Sequence, residues 1–171
     1  MQTEVCKSTI EIPSQTAIVQ LSTMTEIQVS TRIGKKEFMK DFTEIAVRST
    51  VDGSKEPSLL YIPETAHEKT VPLVVGLHTW SYDRFNKMDA YLPFCKSRGW
   101  ALLLPEFRGP NLRTNPRGPE ACGSQCAISD ILDAVNFVME TGYADFSRIF
   151  LLGASGGGHA ALLTAARSPL F

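Results

Sequence analysis

The sequence lacks the ligand pattern of a metal site and the cysteine pairs of a disulfide-rich domain. It contains 4 cysteines among 171 residues, and only Cys122 and Cys126 lie close together. Its three histidines, His67, His78 and His159, are scattered along the chain. A structural zinc site normally uses two closely spaced ligand pairs. We therefore expect no metal ion and reduced, mostly buried thiols.

Long apolar runs and an excess of either charge are also lacking. The 17 Lys and Arg residues nearly balance the 18 Asp and Glu residues, which leaves a formal net charge of −1. This charge gives no electrostatic argument for binding to nucleic acid or to an anionic membrane. No apolar run approaches the roughly 20 residues of a membrane-spanning helix. The N-terminus does not show the basic-then-apolar pattern of a secretory signal, so we expect a cytoplasmic protein.

The sequence does contain alternating apolar strands and helices. Residues 43–49 and 58–62 are predicted to form an antiparallel hairpin around a turn at Val51-Asp52-Gly53. Apolar strands follow at 71–78, 100–105 and 148–152, and they alternate with helices at 84–98, 124–141 and 156–167. This order predicts an α/β protein with three α/β/α layers, in which the hairpin opens a mostly parallel sheet. Residues 1–42 are expected to be an N-terminal extension, with one or two strands that include residues 25–30.

The most informative stretch is residues 148–167, where an apolar strand runs into a helix of small residues. Between them, Gly153-Ala154-Ser155-Gly156-Gly157 matches the pattern Gly-x-Ser-x-Gly. In a sharp strand-to-helix turn, such glycines allow close backbone contact and the serine hydroxyl is exposed above the sheet. Free N–H groups at the helix N-terminus would stabilise negative charge beside it. We therefore predict that Ser155 is a nucleophile; a simple Gly-rich connection is the alternative.

Other polar residues receive structural roles from their positions. His159 lies one helical turn after Ser155, and His78 ends a strand, so neither is expected to reach over the serine as a general base. Residues 106–121 are predicted to form a long loop, in which Glu106 and Arg108 are expected to hold the loop by an ion pair; substrate contact is the alternative. Residues 153–158 fit neither the phosphate-binding P-loop nor the dinucleotide-binding glycine pattern.

Four blocks in this order resemble the α/β-hydrolase fold, and more closely the catalytic domain of prolyl-oligopeptidase-type serine peptidases and their esterase relatives. The blocks are 72–81, 104–111, 130–138 and 148–161, and the resemblance covers residues 43–171. It implies that residues 43–171 are the N-terminal part of a catalytic domain that performs acyl transfer without a cofactor. Ser155 would attack the carbonyl group of a peptide or ester. The backbone N–H groups of Gly156 and Trp80, or Thr79 in place of Trp80, would hold the oxyanion.

The sequence departs from the family pattern in two places. Many relatives have His-Gly in the oxyanion loop, where this chain has His78-Thr79-Trp80. The family also places its catalytic Asp and His after further strands, beyond Phe171. We therefore expect a serine hydrolase, either a peptidase or a carboxylic-ester hydrolase, that is inactive as this chain. The alternative is a non-catalytic, degenerate module that binds a ligand or a partner.

Overall fold

The computed structural model describes residues 37–171, so the strands predicted before residue 37 lie outside the described residues. The strands are β1 (Thr43–Arg48), β2 (Lys55–Tyr61), β3 (Val71–Leu77), β4 (Ala101–Pro105) and β5 (Ala144–Gly153). The helices are α1 (Met88–Arg98), α2 (Gln125–Glu140) and α3 (Gly156–Ala165). Short 3-10 turns lie at Met39–Asp41, Glu64–His67 and Gly118–Glu120. This order of elements confirms the predicted α/β class.

The described strands form one mixed sheet in the order β1-β2-β4-β3-β5. The pairs β1–β2 and β2–β4 are antiparallel, whereas β4–β3 and β3–β5 are parallel. The predicted hairpin therefore opens the sheet, and the three strands that follow it are parallel. Their carboxyl ends, at Pro105, Leu77 and Gly153, meet at one edge of the sheet. This is the edge at which ligands bind in open α/β sheets.

Apolar side chains cover both faces of the sheet because successive residues of a strand point to opposite faces. Leu73 and Val75 of β3 belong to a core that also contains Ile131 and Val135 of α2. Val74 points to the other face and belongs to a second core around Leu92 of α1. The sheet thus lies between α1 on one side and α2 with α3 on the other, which confirms the three-layer arrangement.

Helix α1 starts at Met88, four residues later than the sequence pattern indicated. Asp83 accepts a hydrogen bond from the Phe85 N–H at 3.1 Å, which closes a local turn. Lys87 then takes the left-handed conformation, with φ 69°, and a right-handed helix cannot include it. By contrast, α2 starts as predicted, because Ser124 caps it by accepting the Ala127 N–H at 3.1 Å.

Candidate active site

Ser155 occupies the single turn that joins β5 to α3. Its backbone angles are φ 53° and ψ −123°. A residue with a Cβ rarely adopts this conformation, and such strain is typical of functional positions. The Ser155 side chain is exposed at the edge where the three parallel strands end. The structure therefore places the predicted nucleophile in the strained, exposed position that a nucleophile elbow requires.

The glycines around Ser155 are needed because backbones meet at this turn. A Cβ on Gly153 would overlap the Gly157 carbonyl group, and a Cβ on Gly157 would come within 2.5 Å of the Leu77 carbonyl oxygen. A Cβ on Gly156 would overlap the indole ring of Trp80. Larger residues at these positions would push α3 away from β3 and β5. Close packing of the helix against the strands thus positions Ser155.

The loop after β3 reaches the first turn of α3 through Thr79. The Gly156 N–H donates a hydrogen bond to Thr79 Oγ1 at 3.3 Å. The Thr79 N–H donates to Asn86 Oδ1 at 3.3 Å. Among the hydrogen bonds of residues 37–171, none uses the Trp80 N–H, while the Trp80 carbonyl accepts from the Asn111 N–H at 2.6 Å. The N–H groups of Gly156 and Thr79, two of the three predicted oxyanion donors, therefore already donate to side chains of this loop.

The described histidines do not form a hydrogen bond with Ser155. His78 is buried, and its Nε2 and Nδ1 lie 2.6 Å from the Glu106 carbonyl and 3.0 Å from the Thr79 carbonyl. Its ring stacks on Phe107 with 3.9 Å between the ring centroids. These contacts tie the oxyanion loop to the loop after β4, which agrees with the structural role expected for His78.

His159 lies beside the elbow but is turned toward other groups. Its ring packs edge-on against Trp80, with centroids 6.4 Å apart. A Cβ on Gly123 would lie 3.2 Å from His159 Nδ1, so the ring sits over the chain just before α2. His67, the remaining histidine, packs edge-on against Tyr143. A base for Ser155 is therefore not supplied by these side chains in the conformation observed.

Arg108 anchors the loop after β4 by a buried ionic network. Its side chain is fully buried and donates to Asp130 at 2.6 Å, to Asp52 at 2.6 Å and to Glu120 at 2.8 Å. Burial alone lowers the pKa of the guanidinium, but the hydrogen bonds to Asp52 and Asp130 outweigh it and raise that pKa. The loop is thus held to α2 and to the hairpin turn.

The ion pair predicted between Glu106 and Arg108 is wrong, because each of these residues pairs with other partners. Glu106 does not pair with Arg108; it accepts from the Arg84 guanidinium at 2.9 Å. Local sequence gives no signal for these partners, because they come from distant segments of the chain. The roles of Thr79 Oγ1 and Asn86 were also missed in the sequence, since both depend on contacts between separate loops.

Residues 37–171 hold no group of three His, Cys, Asp or Glu side chains that could bind a metal ion. Their helices are all too short or too polar to cross a membrane. Cys95, Cys122 and Cys126 are free thiols.

The sequence is similar to those of curated peptidases. No family model matches the chain. It is 32% identical over 118 residues to "Acylamino-acid-releasing enzyme 2" of Oryza sativa subsp. japonica, a match that covers 63% of this chain and 14% of that enzyme. The chain therefore spans about one seventh of the length of this curated relative.

Solved structures share the fold at lower sequence identity. Esterase Est22 with p-nitrophenol superimposes with a TM-score of 0.59 at 22% identity, over 84% of this chain and 47% of that one. The Pyrococcus horikoshii acylaminoacyl peptidase superimposes with a TM-score of 0.58 at 18% identity, over 89% of this chain and 24% of that one. The elbow geometry and these similarities identify the chain as having the α/β-hydrolase fold and as related to the prolyl-oligopeptidase-type serine peptidases.

Proposed function

We propose that the protein is a serine hydrolase in which Ser155 attacks the carbonyl carbon of a peptide or an ester. The conformation of Ser155 carries this proposal. Its φ of 53° and ψ of −123° are maintained by the surrounding packing, although a glycine would adopt them at less cost. Strain of this kind at a hydroxyl on a helix N-terminus is useful in acyl transfer, because it exposes the nucleophile beside backbone N–H groups that can donate to the oxyanion.

The reaction proceeds by covalent catalysis. The Ser155 oxygen forms a bond to the carbonyl carbon and gives its proton to a general base, while the carbonyl electron pair moves onto oxygen. The N–H groups of Gly156 and Trp80 hold this oxyanion. Collapse expels the amine or alcohol, which takes up the proton, and water then hydrolyses the acyl-serine by the same steps.

The general base is proposed to come from outside the described residues. His78 has both ring nitrogens directed at carbonyl oxygens, and His159 faces Trp80 and Gly123. An isolated serine hydroxyl is a weak nucleophile without a base. We therefore expect the 171-residue chain alone to hydrolyse p-nitrophenyl acetate no faster than its Ser155→Ala variant. Residues 43–171 would then be the N-terminal part of a larger catalytic domain.

The direct test uses the protein expressed from its complete gene. A fluorophosphonate probe is expected to modify Ser155, as located by peptide mass spectrometry, and p-nitrophenyl ester hydrolysis is expected to disappear in Ser155→Ala. Ser81→Ala is the matched control, since Ser81 is an exposed serine near the site without the elbow conformation. Ester turnover that survives Ser155→Ala, or the absence of any labelling at Ser155, would contradict the proposal.

A non-catalytic binding module is the second candidate, and two observations favour it. The Gly156 N–H is already occupied by a hydroxyl oxygen, and none of the described histidines is hydrogen-bonded to Ser155. Reading the source gene past the codon for Phe171 separates the two. Further strands that carry an Asp and a His favour the hydrolase, whereas an immediate stop codon favours the module.

A further inference from the structure

The side chain of Thr79 lies beside the Gly156 N–H, one of the predicted donors of the oxyanion hole. Its Oγ1 is 3.3 Å from the Gly156 nitrogen and accepts the N–H of that residue. An oxyanion formed at Ser155 would accept the same N–H at about 2.7–3.1 Å. In the resting structure, a neutral hydroxyl oxygen therefore accepts one of the N–H groups that would bind the oxyanion.

Thr79 is held in this position by its own backbone. Its N–H donates to Asn86 Oδ1 at 3.3 Å, and its carbonyl accepts the Tyr82 N–H at 3.1 Å. The same carbonyl lies 3.0 Å from His78 Nδ1. A β-branched side chain on a fixed backbone has few rotamers. The hydroxyl oxygen is therefore preorganised, and the O–H bond is the part that rotates.

The hydroxyl has unused donor capacity. A threonine hydroxyl carries one donor and two acceptor positions. Among the hydrogen bonds of residues 37–171, Thr79 Oγ1 accepts from Gly156 and donates to no other group. Three donors that converge on one point stabilise developing negative charge more strongly than two.

We propose that the Thr79 hydroxyl is a side-chain donor of the oxyanion hole, acting with the N–H groups of Gly156 and Trp80. This inference rests on the proposed hydrolase function. When Ser155 attacks, the carbonyl electron pair moves onto oxygen, and Thr79 turns its O–H toward that oxygen. Thr79 donates only a hydrogen bond, so its proton is not transferred. The contact exists only once the charge develops, so it lowers the barrier without strengthening substrate binding.

The opposite reading is that Thr79 blocks the hole. In that case its oxygen would compete with the oxyanion for the Gly156 N–H, and removing it would accelerate the reaction. The two hypotheses predict opposite changes in kcat when the hydroxyl is removed, so a single pair of variants separates them.

The experiment compares Thr79→Val, which keeps the shape without the hydroxyl, with Thr79→Ser, which keeps the hydroxyl. The protein from the complete gene is used, with p-nitrophenyl acetate as substrate. Removal of one oxyanion donor lowers kcat by roughly 10²–10³-fold. We expect such a loss in Thr79→Val with KM little changed, and recovery of most of the rate in Thr79→Ser. The Gly156 amide resonance should also shift in Thr79→Val without any ligand, which tests the resting hydrogen bond independently of turnover.

The outcomes discriminate between this inference and the proposed function. If wild-type protein is labelled at Ser155 and Thr79→Val keeps its kcat or gains rate, the inference is overturned and the hydrolase stands. Equal losses in Thr79→Val and Thr79→Ser also overturn it, because the hydroxyl is then not the cause. If wild-type protein is neither labelled nor active, the proposed function fails and the inference fails with it.

Discussion

The α-carbon of Gly157 lies against the carbonyl oxygen of Leu77, the last residue of β3. A Cβ built on Gly157 would come within 2.5 Å of that oxygen, and both groups are backbone, so neither has a flexible end that can move aside. The adjacent Gly158 is different, because its Cβ would lie 3.4 Å from the nearest atom, the Gly153 carbonyl oxygen. Two neighbouring glycines of one helix therefore have different reasons to be glycine.

We predict that Gly157→Ala destabilises the protein by about 1–3 kcal/mol, since overpacking forces the helix away from the strand. Gly158→Ala should be neutral or stabilising by up to about 1 kcal/mol, because alanine favours helix more than glycine does. Urea unfolding followed by circular dichroism measures both. Equal stabilities of the two variants would show that α3 is not packed on Leu77 as described.

The strain at Ser155 gives a second prediction, which concerns whether glycine or alanine is the more stable replacement. Ser155→Gly should be more stable than Ser155→Ala by about 1 kcal/mol, because a strained φ/ψ pair costs about 1–3 kcal/mol and glycine relieves it at an entropic cost of about 0.5–1 kcal/mol. Ser147 is the control, since it is exposed and does not have positive φ. At position 147 the glycine variant should be less stable than the alanine variant. If glycine is also the less stable variant at position 155, the elbow is unstrained.

The fold was largely predictable because its signals are local. Apolar runs such as 71–77 mark strands covered on both faces, and Ser124 marks the start of a helix by its capping hydroxyl. The elbow was predictable because the glycine spacing and the strand before it lie within one short segment. Boundaries were less accurate: β5 starts at Ala144, where Asp145 and Ser147 interrupt the apolar pattern with a local hydrogen-bonded turn.

The site was only partly predictable, because its details depend on contacts between distant segments. Thr79 and Gly156 are 77 positions apart, and nothing near Thr79 in the sequence indicates that its hydroxyl reaches the elbow. Arg108 likewise takes partners 22 and 56 positions away. The donor roles of Gly156 and Trp80 remain predictions.

Arg108 gives the largest expected loss of stability. Its guanidinium is fully buried and pairs with Asp130, whose side chain is also buried. Removal of one partner leaves the other charge buried without compensation, which costs about 3–5 kcal/mol. We predict a loss of this size for Arg108→Ala in urea unfolding. Arg148→Ala is the control, because Arg148 pairs with Asp145 at the surface and should cost less than about 1 kcal/mol. Comparable losses would refute the structural role of the network.

The thiols give a prediction about pH. Cys95 is fully buried, and burial raises the pKa of its thiol to about 11. Only the thiolate reacts with iodoacetamide, so the folded protein should leave Cys95 unmodified at pH 8 and begin to react only as the pH approaches that pKa. Urea-denatured protein should react fully at pH 8. Peptide mass spectrometry locates the modification, and rapid labelling of Cys95 in folded protein would contradict its burial.

The outer edge of β5 gives the last prediction. In the described sheet β5 pairs only with β3, and its Phe150 and Leu152 are 42% and 38% exposed. Leu162 of α3 is 76% exposed, and these side chains border one apolar groove of about 650 Å³. An unpaired, apolar edge strand is a site of self-association.

The 171-residue chain should therefore form concentration-dependent oligomers in sedimentation velocity, and Leu162→Lys should weaken them. Val51→Lys, on the distant hairpin turn, should leave them unchanged. A monomer at all concentrations, or equal effects of the two lysines, would show that this edge does not drive association.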